Sequence, residues 1–490
     1  MPSTTSDPTN CRSQAWLSKP DVVVVGAGIA GLCCAMLLAE AGLRVQVLEA
    51  SEVPGGRARS WADPITGDAV DIGPHVMLRQ YANMRALLER LGTAHLVYWQ
   101  TDEWLRLQDR GQQLRFRLGP GPAPFNYLRS LPAILRAVPL RHLLSNIPLA
   151  WGMLAASDRE IMALDDRTGL QYLLEAGVHR DFIDWFWGSA AIALLNLPVE
   201  QCSAASLMRL FAQALGHDDM AFGFPRVGLS DLYAWPAIRR IQNLGGEVRL
   251  DCAVAGLWRD GGRVAGVSLA TGGRVEAQAV VLAVSPTAIP ALLADTHGLA
   301  AVARRFEPSP YVSCYLWFDK HLGDARFWAR PWSPEGFNTD FYDLANIRET
   351  RPGEGSLIAS NIIWSDRVAD LSDGQLVEAT EREIGEFASL QHTRRVAASV
   401  HRIPMSIPCA RPGCETMRPA TRIEPGLLLA GDWVDTGLPF CMEGATRAGA
   451  LAAEAVLAAQ GRVASLALPP PVAGGLGALL RRLRGSGTKD

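Results

Sequence analysis

An α/β fold is what this sequence predicts, and three observations predict it. Four valines at 22–25 run into glycines at 26, 28 and 31, then into an apolar helix and a second strand. A second strand-to-helix step follows the leucine run at 427–429, near the other end of the chain. With 490 residues the chain is also too long for one hydrophobic core, so two or three domains are expected.

Composition narrows the function classes. Hydrophobic residues make up 48% and charged residues 20%, which is a globular balance. A net charge of −3 supplies no basic field, so no nucleic-acid partner is expected. Lys19, Lys320 and Lys489 are the only lysines, so few amines are available for chemistry. The nine cysteines include no CxxC pair, which fits reduced thiols and no structural zinc. No other metal-ligand pattern is found, and residues 1–19 read as a polar, disordered N-terminus without a signal peptide. The uncharged run Val22–Ala39 has the length of a membrane span, but its glycines mark a turn instead.

Each element of the first motif has a physical task. Gly26 allows a tight turn, Gly28 lets backbone approach a pyrophosphate, and Gly31 lets the helix pack on the strand. The helix N-terminus, at Ala30, offers free N–H groups and the positive end of a dipole to phosphates. The second strand, 44–49, ends in Glu49, placed to bind ribose hydroxyls. Together they predict a Rossmann-like dinucleotide site.

The next residues, Gly55-Gly56-Arg57, resemble a segment of the flavin amine oxidase and carotenoid desaturase superfamily. The resemblance implies FAD, with Gly56 and Arg57 at its pyrophosphate. The stretches 426–433 and 437–445 resemble the superfamily's second FAD motif. They imply Asp432 near the ribitol and a helix opening at Met442 aimed at the flavin. Residues 245–254 resemble the strand whose end, Val254 here, holds adenine through its backbone. No covalent-flavin cysteine motif is found, so non-covalent FAD is expected.

The FAD-binding domain is therefore expected to be discontinuous, at 20–80, 225–300 and 400–462. An α+β substrate domain is expected from 81–224 and 301–399. No second GxGxxG follows a strand, so the electron donor or acceptor is left open. Between Asp109 and Asp158 there is no acid, while Arg115, Arg117, Arg129, Arg136 and Arg141 lie among leucines and prolines. In the 463–490 tail, Leu476, Leu479, Leu480 and Leu483 share one helical face beside Arg481, Arg482 and Arg484. Both segments suit a membrane surface, although a solvated insert and a frayed tail remain the plainer readings. A cytoplasmic protein held peripherally at the inner membrane is expected.

Within the superfamily, 69–75, 185–196, 224–232 and 431–439 resemble the bacterial hydroxysqualene dehydroxylase branch. His75 after Gly73-Pro74, and Cys441-Met442-Glu443, are closer to carotene desaturases. The resemblance places Gly73, Pro74 and His75 at the flavin and makes His75 the candidate catalytic proton donor. It implies reductive removal of a hydroxyl from a long isoprenoid, with desaturation as the alternative. Trp185, Trp187, Tyr311 and Trp317 are candidates to face a cation, or plain core. An amine oxidase would carry a lysine where Ser313 stands, and a flavin-free lipid carrier of the Rab GDP-dissociation inhibitor type would not need the FAD motifs.

Overall fold

The Val22–Val25 strand lies at the centre of a six-stranded sheet, buried on both faces, which is why it reads as an unbroken apolar run. The computed structural model describes residues 19–485, apart from 102, 124, 155, 216, 295–296, 350–354, 471 and 473. Apart from Lys19, the segment expected to be disordered lies outside the described residues.

In this sheet the strands run Glu247–Arg249, Val45–Leu48, Val22–Val25, Ala279–Leu282 and Leu427–Leu429, all parallel, with Arg422–Glu424 antiparallel at the edge. Chain order reverses on either side of the valine strand. That opens a crevice at its C-terminal end, the place where such sheets bind ligands. The helix Ile29–Glu40 follows directly and is buried from Ile29 to Ala39. A helix that is apolar all round needs cover on every side. The sheet supplies one side and the helix Met442–Ala459 another. Gly449 makes this second contact possible, because any Cβ there would collide with the Ala30 carbonyl oxygen.

A seven-stranded, mostly antiparallel sheet forms a second layer, ordered Arg395–Pro408, Pro308–Phe318, Leu357–Ile363, Asp340–Asp343, Phe327–Ala329, Leu105–Asp109 and Gln112–Phe116. The Pro308–Phe318 strand alternates cleanly. Val312, Cys314, Leu316 and Phe318 join a core with the helix Asp373–Phe387. Tyr311, Ser313, Tyr315 and Trp317 face the 68–73 segment, whose strand Ala69–Asp71 pairs with Ser60–Ala62. The Arg395–Pro408 strand belongs wholly to this sheet, so the expected domain boundary at 400 falls inside it.

Short helices fill 125–215, and proline sets their breaks: Pro132 lies in the first turn of Leu131–Ala137 and Pro139 precedes Leu140–Leu144. Among the described residues seven cysteines are free thiols and Cys252 is disulfide-bonded, which departs from the expectation of reduced thiols throughout.

Candidate functional site

The three glycines of the first motif meet three different surroundings. Gly26 has φ +105°, and a Cβ on it would lie 2.5 Å from the Ala283 carbonyl oxygen. A Cβ on Gly31 would strike the Gly26 carbonyl, so backbone-to-backbone packing excludes a side chain there. Gly28 is open: the nearest atom to its Cβ position is Gly56 Cα at 4.0 Å. Open space above a helix N-terminus is the cradle a pyrophosphate needs.

Glu49 ends the second strand beside this loop. Its Oε2 accepts the Ala27 N–H at 2.6 Å and its Oε1 accepts the Ser51 N–H at 2.9 Å. A carboxylate has about four acceptor positions, so two stay open for ribose hydroxyls. Val254 begins the Val254–Asp260 strand, two residues after Cys252, whose N–H donates to the Glu49 carbonyl at 2.7 Å.

Arg57 joins the two ends of the chain. Its Nη2 donates to Asp432 Oδ1 at 2.5 Å across 375 residues, and its Nη1 donates to the Ser406 carbonyl at 3.0 Å. Gly56, with φ +58°, lies against Gly28, so the Gly-Gly-Arg turn is stacked on the phosphate loop. Met442 opens the closing helix behind Cys441, whose sulfur accepts the Gly444 N–H at 3.4 Å. Beside this N-terminus the Thr436 hydroxyl is buried and has no partner among the described residues. An orphaned hydroxyl there, an open cradle at Gly28 and an arginine fork between them suit a flavin dinucleotide. Gly26, Gly28, Ala30, Gly31, Gly56, Arg57, Asp432 and Met442 are the residues that would hold it.

Gly73, Pro74 and His75 cross over the second sheet. A Cβ on Gly73 would overlap the Tyr311 ring, and Asn361 Nδ2 lies 3.4 Å from the Pro74 carbonyl. Ser313 is fully buried, and its hydroxyl is 3.0 Å from both Ile72 O and Asn361 Oδ1. Lys320 lies exposed beyond that strand and Lys19 pairs with Glu276 at 2.7 Å.

A family model for flavin-containing amine oxidoreductases matches residues 29–457. The chain belongs to that family. The 15-cis-phytoene desaturase of Solanum lycopersicum is 27% identical over 467 residues, 90% of this chain and 78% of the relative. The hydroxysqualene dehydroxylase of Sinorhizobium fredii is 26% identical over 461 residues, 89% of this chain and 98% of the relative. The solved cyclohexylamine oxidase from Brevibacterium oxydans shares the fold, with a TM-score of 0.65 at 20% identity, covering 91% of this chain and 100% of that one. This flavin-containing amine oxidoreductase is thus an FAD-dependent enzyme of the carotenoid desaturase and amine oxidase group.

In this oxidoreductase His75 is held as a neutral ring. Burial pulls its pKa below the usual range, against the opposing influence of the Gly73 carbonyl and Asp71. Nδ1 lies 2.7 Å from Gly73 O, which only accepts, so Nδ1 carries the proton and Nε2 is left as an acceptor. A cavity of about 10 Å³, the room of one water, lies among His75, Asp71, Phe224 and Tyr342. Two buried acids border this region. Burial raises the Asp71 carboxyl, with Arg348 opposing at 3.1 Å. Burial also raises Asp340, with hydrogen bonds from Tyr342, Thr339 and Asn361 opposing.

Several working residues escape a reading by motif. Tyr233 donates to the Gly55 carbonyl at 2.7 Å and Asp71 accepts the Leu229 N–H at 2.9 Å, so the 224–234 stretch braces the turn and strand that would carry the flavin. Its sequence signal is the resemblance itself, with no role attached. Glu443 does not face the site: buried, it accepts the Asn83 and Met84 N–H groups at 2.9 and 2.8 Å and caps the helix Ala82–Leu91. Of the four aromatic candidates, Tyr311 underlies Gly73, Trp317 bonds Asp68 at 2.6 Å, Trp187 bonds Asn146 at 2.9 Å, and Trp185 is core.

Spacing also hides a cluster of His142, His179 and Asp181. The two imidazoles stack 3.5 Å apart at an interplanar angle of 12°. Their Nδ1 atoms lie 3.5 and 4.0 Å from Asp181 Oδ2, and His179 Nδ1 already accepts the Asp181 N–H at 3.2 Å.

Proposed function

We propose that this FAD-dependent oxidoreductase removes a hydroxyl from a long isoprenoid, converting hydroxysqualene to squalene, with its FAD bound non-covalently. The observation that carries this reading is the polar row opposite the 71–75 segment: Ser313 where an amine oxidase has lysine, then Asn361 and Asp340. A leaving hydroxyl needs a proton, and burial raises the Asp340 carboxyl, which favours its protonated form. Amine oxidation needs neither this row nor that acid. His75 Nε2 would accept a hydrogen bond from the substrate hydroxyl and orient it; with Nδ1–H committed to Gly73, it is better suited to orienting than to donating. Bound and reduced, the flavin supplies the hydride. Apolar walls would hold the hydrocarbon chain, at about 25 cal/mol per Å² buried.

Phytoene-type desaturation is the second reading, favoured by relatives such as the Solanum lycopersicum enzyme. The two run hydride in opposite directions. Anaerobic incubation of the photoreduced protein with hydroxysqualene is expected to give squalene and reoxidised flavin. Turnover of phytoene under oxidising conditions, with none of hydroxysqualene, would reverse the assignment. Acid precipitation is expected to release all flavin into the supernatant.

We also propose a two-domain division, with the substrate domain extended through the strand that ends at 408, and peripheral attachment to a membrane. No helix among the described residues is long and apolar enough to cross one. In the acid-free insert, Phe125, Leu128, Leu140, Ile147 and Trp151 are each more than half exposed. Arg129, Arg136 and Arg141 are exposed among them. The tail helix Gly475–Gly485 packs on Ile147–Leu154 and adds exposed Leu479 and Leu483 to the same region.

A further inference from the structure

Arg418 belongs to none of the motifs, yet its side chain is completely buried between the second FAD motif and the insert. Its Nη2 donates to the Asp432 carbonyl and its Nη1 to the Leu438 carbonyl at 2.5 Å. The guanidinium lies 4.7 Å from the Phe440 ring centroid. Glu415, also fully buried, accepts from Arg418 at 3.0 Å, from Ser206 at 2.6 Å and from Arg209, so this carboxylate ties the loop to the 204–215 helix. Burial would raise the Glu415 pKa, but the two guanidiniums and the Ser206 hydroxyl outweigh it and hold the carboxyl below its usual range.

Stability alone does not account for this arrangement. Buried ion pairs lose so much hydration that apolar residues of similar volume commonly stabilise a core as well or better. What apolar residues cannot do is hold two carbonyls six residues apart in fixed positions, which a planar fork does. The carbonyls are those of Asp432, whose carboxylate takes Arg57, and of Leu438, three residues before the Cys441 cap. Arg57 therefore grips the loop by a side chain and Arg418 grips it by its backbone.

We infer that Arg418 is a positioning residue of the flavin site: it sets the 432–440 loop so that Asp432 and the N-terminus at Met442 meet the cofactor together. This inference rests on FAD being the flavin bound. The test compares Arg418→Met and Arg418→Lys with Arg330→Met, which removes a guanidinium from a different ion pair, that with Glu383. FAD affinity is measured by fluorescence quenching on apoprotein, the midpoint potential by redox titration, and folding by circular dichroism. The Arg418→Met change is expected to lower FAD affinity at least tenfold and to shift the potential negative, since a displaced helix N-terminus stabilises reduced flavin less. Lysine, a single point donor, is expected to restore only part of either, and it serves as the test if the methionine variant fails to fold. Arg330→Met is expected to bind FAD within about threefold of wild type. Wild-type affinity and potential in folded Arg418→Met, full rescue by lysine, or an equal loss in Arg330→Met would each overturn the inference. Wild-type protein that binds no FAD would instead sink the cofactor reading.

Discussion

Gly28 and Gly31 are three residues apart, the first capping the helix Ile29–Glu40 and the second within its first turn, and the structure gives them opposite sensitivities. Gly28→Ala places a methyl group in open space, so stability is expected to change by no more than about 1 kcal/mol. FAD affinity is expected to collapse, because the same space is the one proposed to hold the pyrophosphate. Gly31→Ala drives a methyl into Gly26 backbone and is expected to cost about 1–3 kcal/mol or more. Chemical denaturation of apoprotein and FAD titration, run on both variants, separate the two roles. Asp343 provides a test by pH. Burial pushes its carboxyl from 3.8 up to about 6, so the folded state holds a proton that the unfolded chain releases. Its contribution is fully present below the unfolded value and is lost as pH rises through about 6. Asp343→Asn, which keeps an acceptor for the Ala345 and Asn346 N–H groups, is expected to flatten thermal stability between about pH 4 and 7. An unchanged profile would show that Asp343 titrates normally. Both residues illustrate a limit of reading by type: the glycine roles were legible from spacing, but nothing in the neighbourhood of Asp343 marks it as buried.

At the scale of elements, the closing helix was legible and its attachment was not. A strand, a Gly-Asp pair and a glycine-rich turn predict a helix starting at Met442, and it runs Met442–Ala459. Glu443, by contrast, lies within that motif yet caps a different helix, 360 residues away. Glu443→Ala would leave the Asn83 and Met84 amides without their acceptor, while the Asn83 side-chain nitrogen would keep only its bond to the Leu468 carbonyl. At about 1–3 kcal/mol for each buried donor left unpaired, a loss of several kcal/mol is expected. The check is the denaturant midpoint of apoprotein. A loss below about 1 kcal/mol would mean that water replaces the carboxylate. The seven-stranded sheet was the least legible element, since pairing between strands as distant as 105–109 and 327–329, which run parallel, leaves no local spacing to read.

The whole molecule brings the acid-free insert and the tail together, which neither segment announces. Leu480 turns inward in the packed helix, leaving Leu479 and Leu483 outward, so the four-leucine face is divided between protein and surroundings. Each outward leucine offers at most about 1.5–3 kcal/mol, and each arginine about 1 on anionic lipid. The tail alone is therefore weak, and the insert must share the binding. A Leu479→Glu/Leu483→Glu pair and a Phe125→Glu/Leu128→Glu pair are each expected to reduce co-sedimentation with anionic vesicles at least tenfold, with FAD content unchanged. High salt is expected to weaken the wild-type interaction further. Variants that sediment like wild type would remove this surface from consideration.

By itself, the sequence determined the nucleotide-binding step of the fold, because a strand, a tight glycine turn and a helix N-terminus are local structures read from neighbouring residues. It also determined that two such steps frame the chain. Only the tertiary structure decided that Arg57 pairs with Asp432, that Ser313, Asn361 and Asp340 form one row, and that Arg418 grips the loop between them and the insert. Those contacts join residues from 14 to 375 positions apart. Their energies depend on burial and on the distance between charges, and neither exists until the sheets have packed.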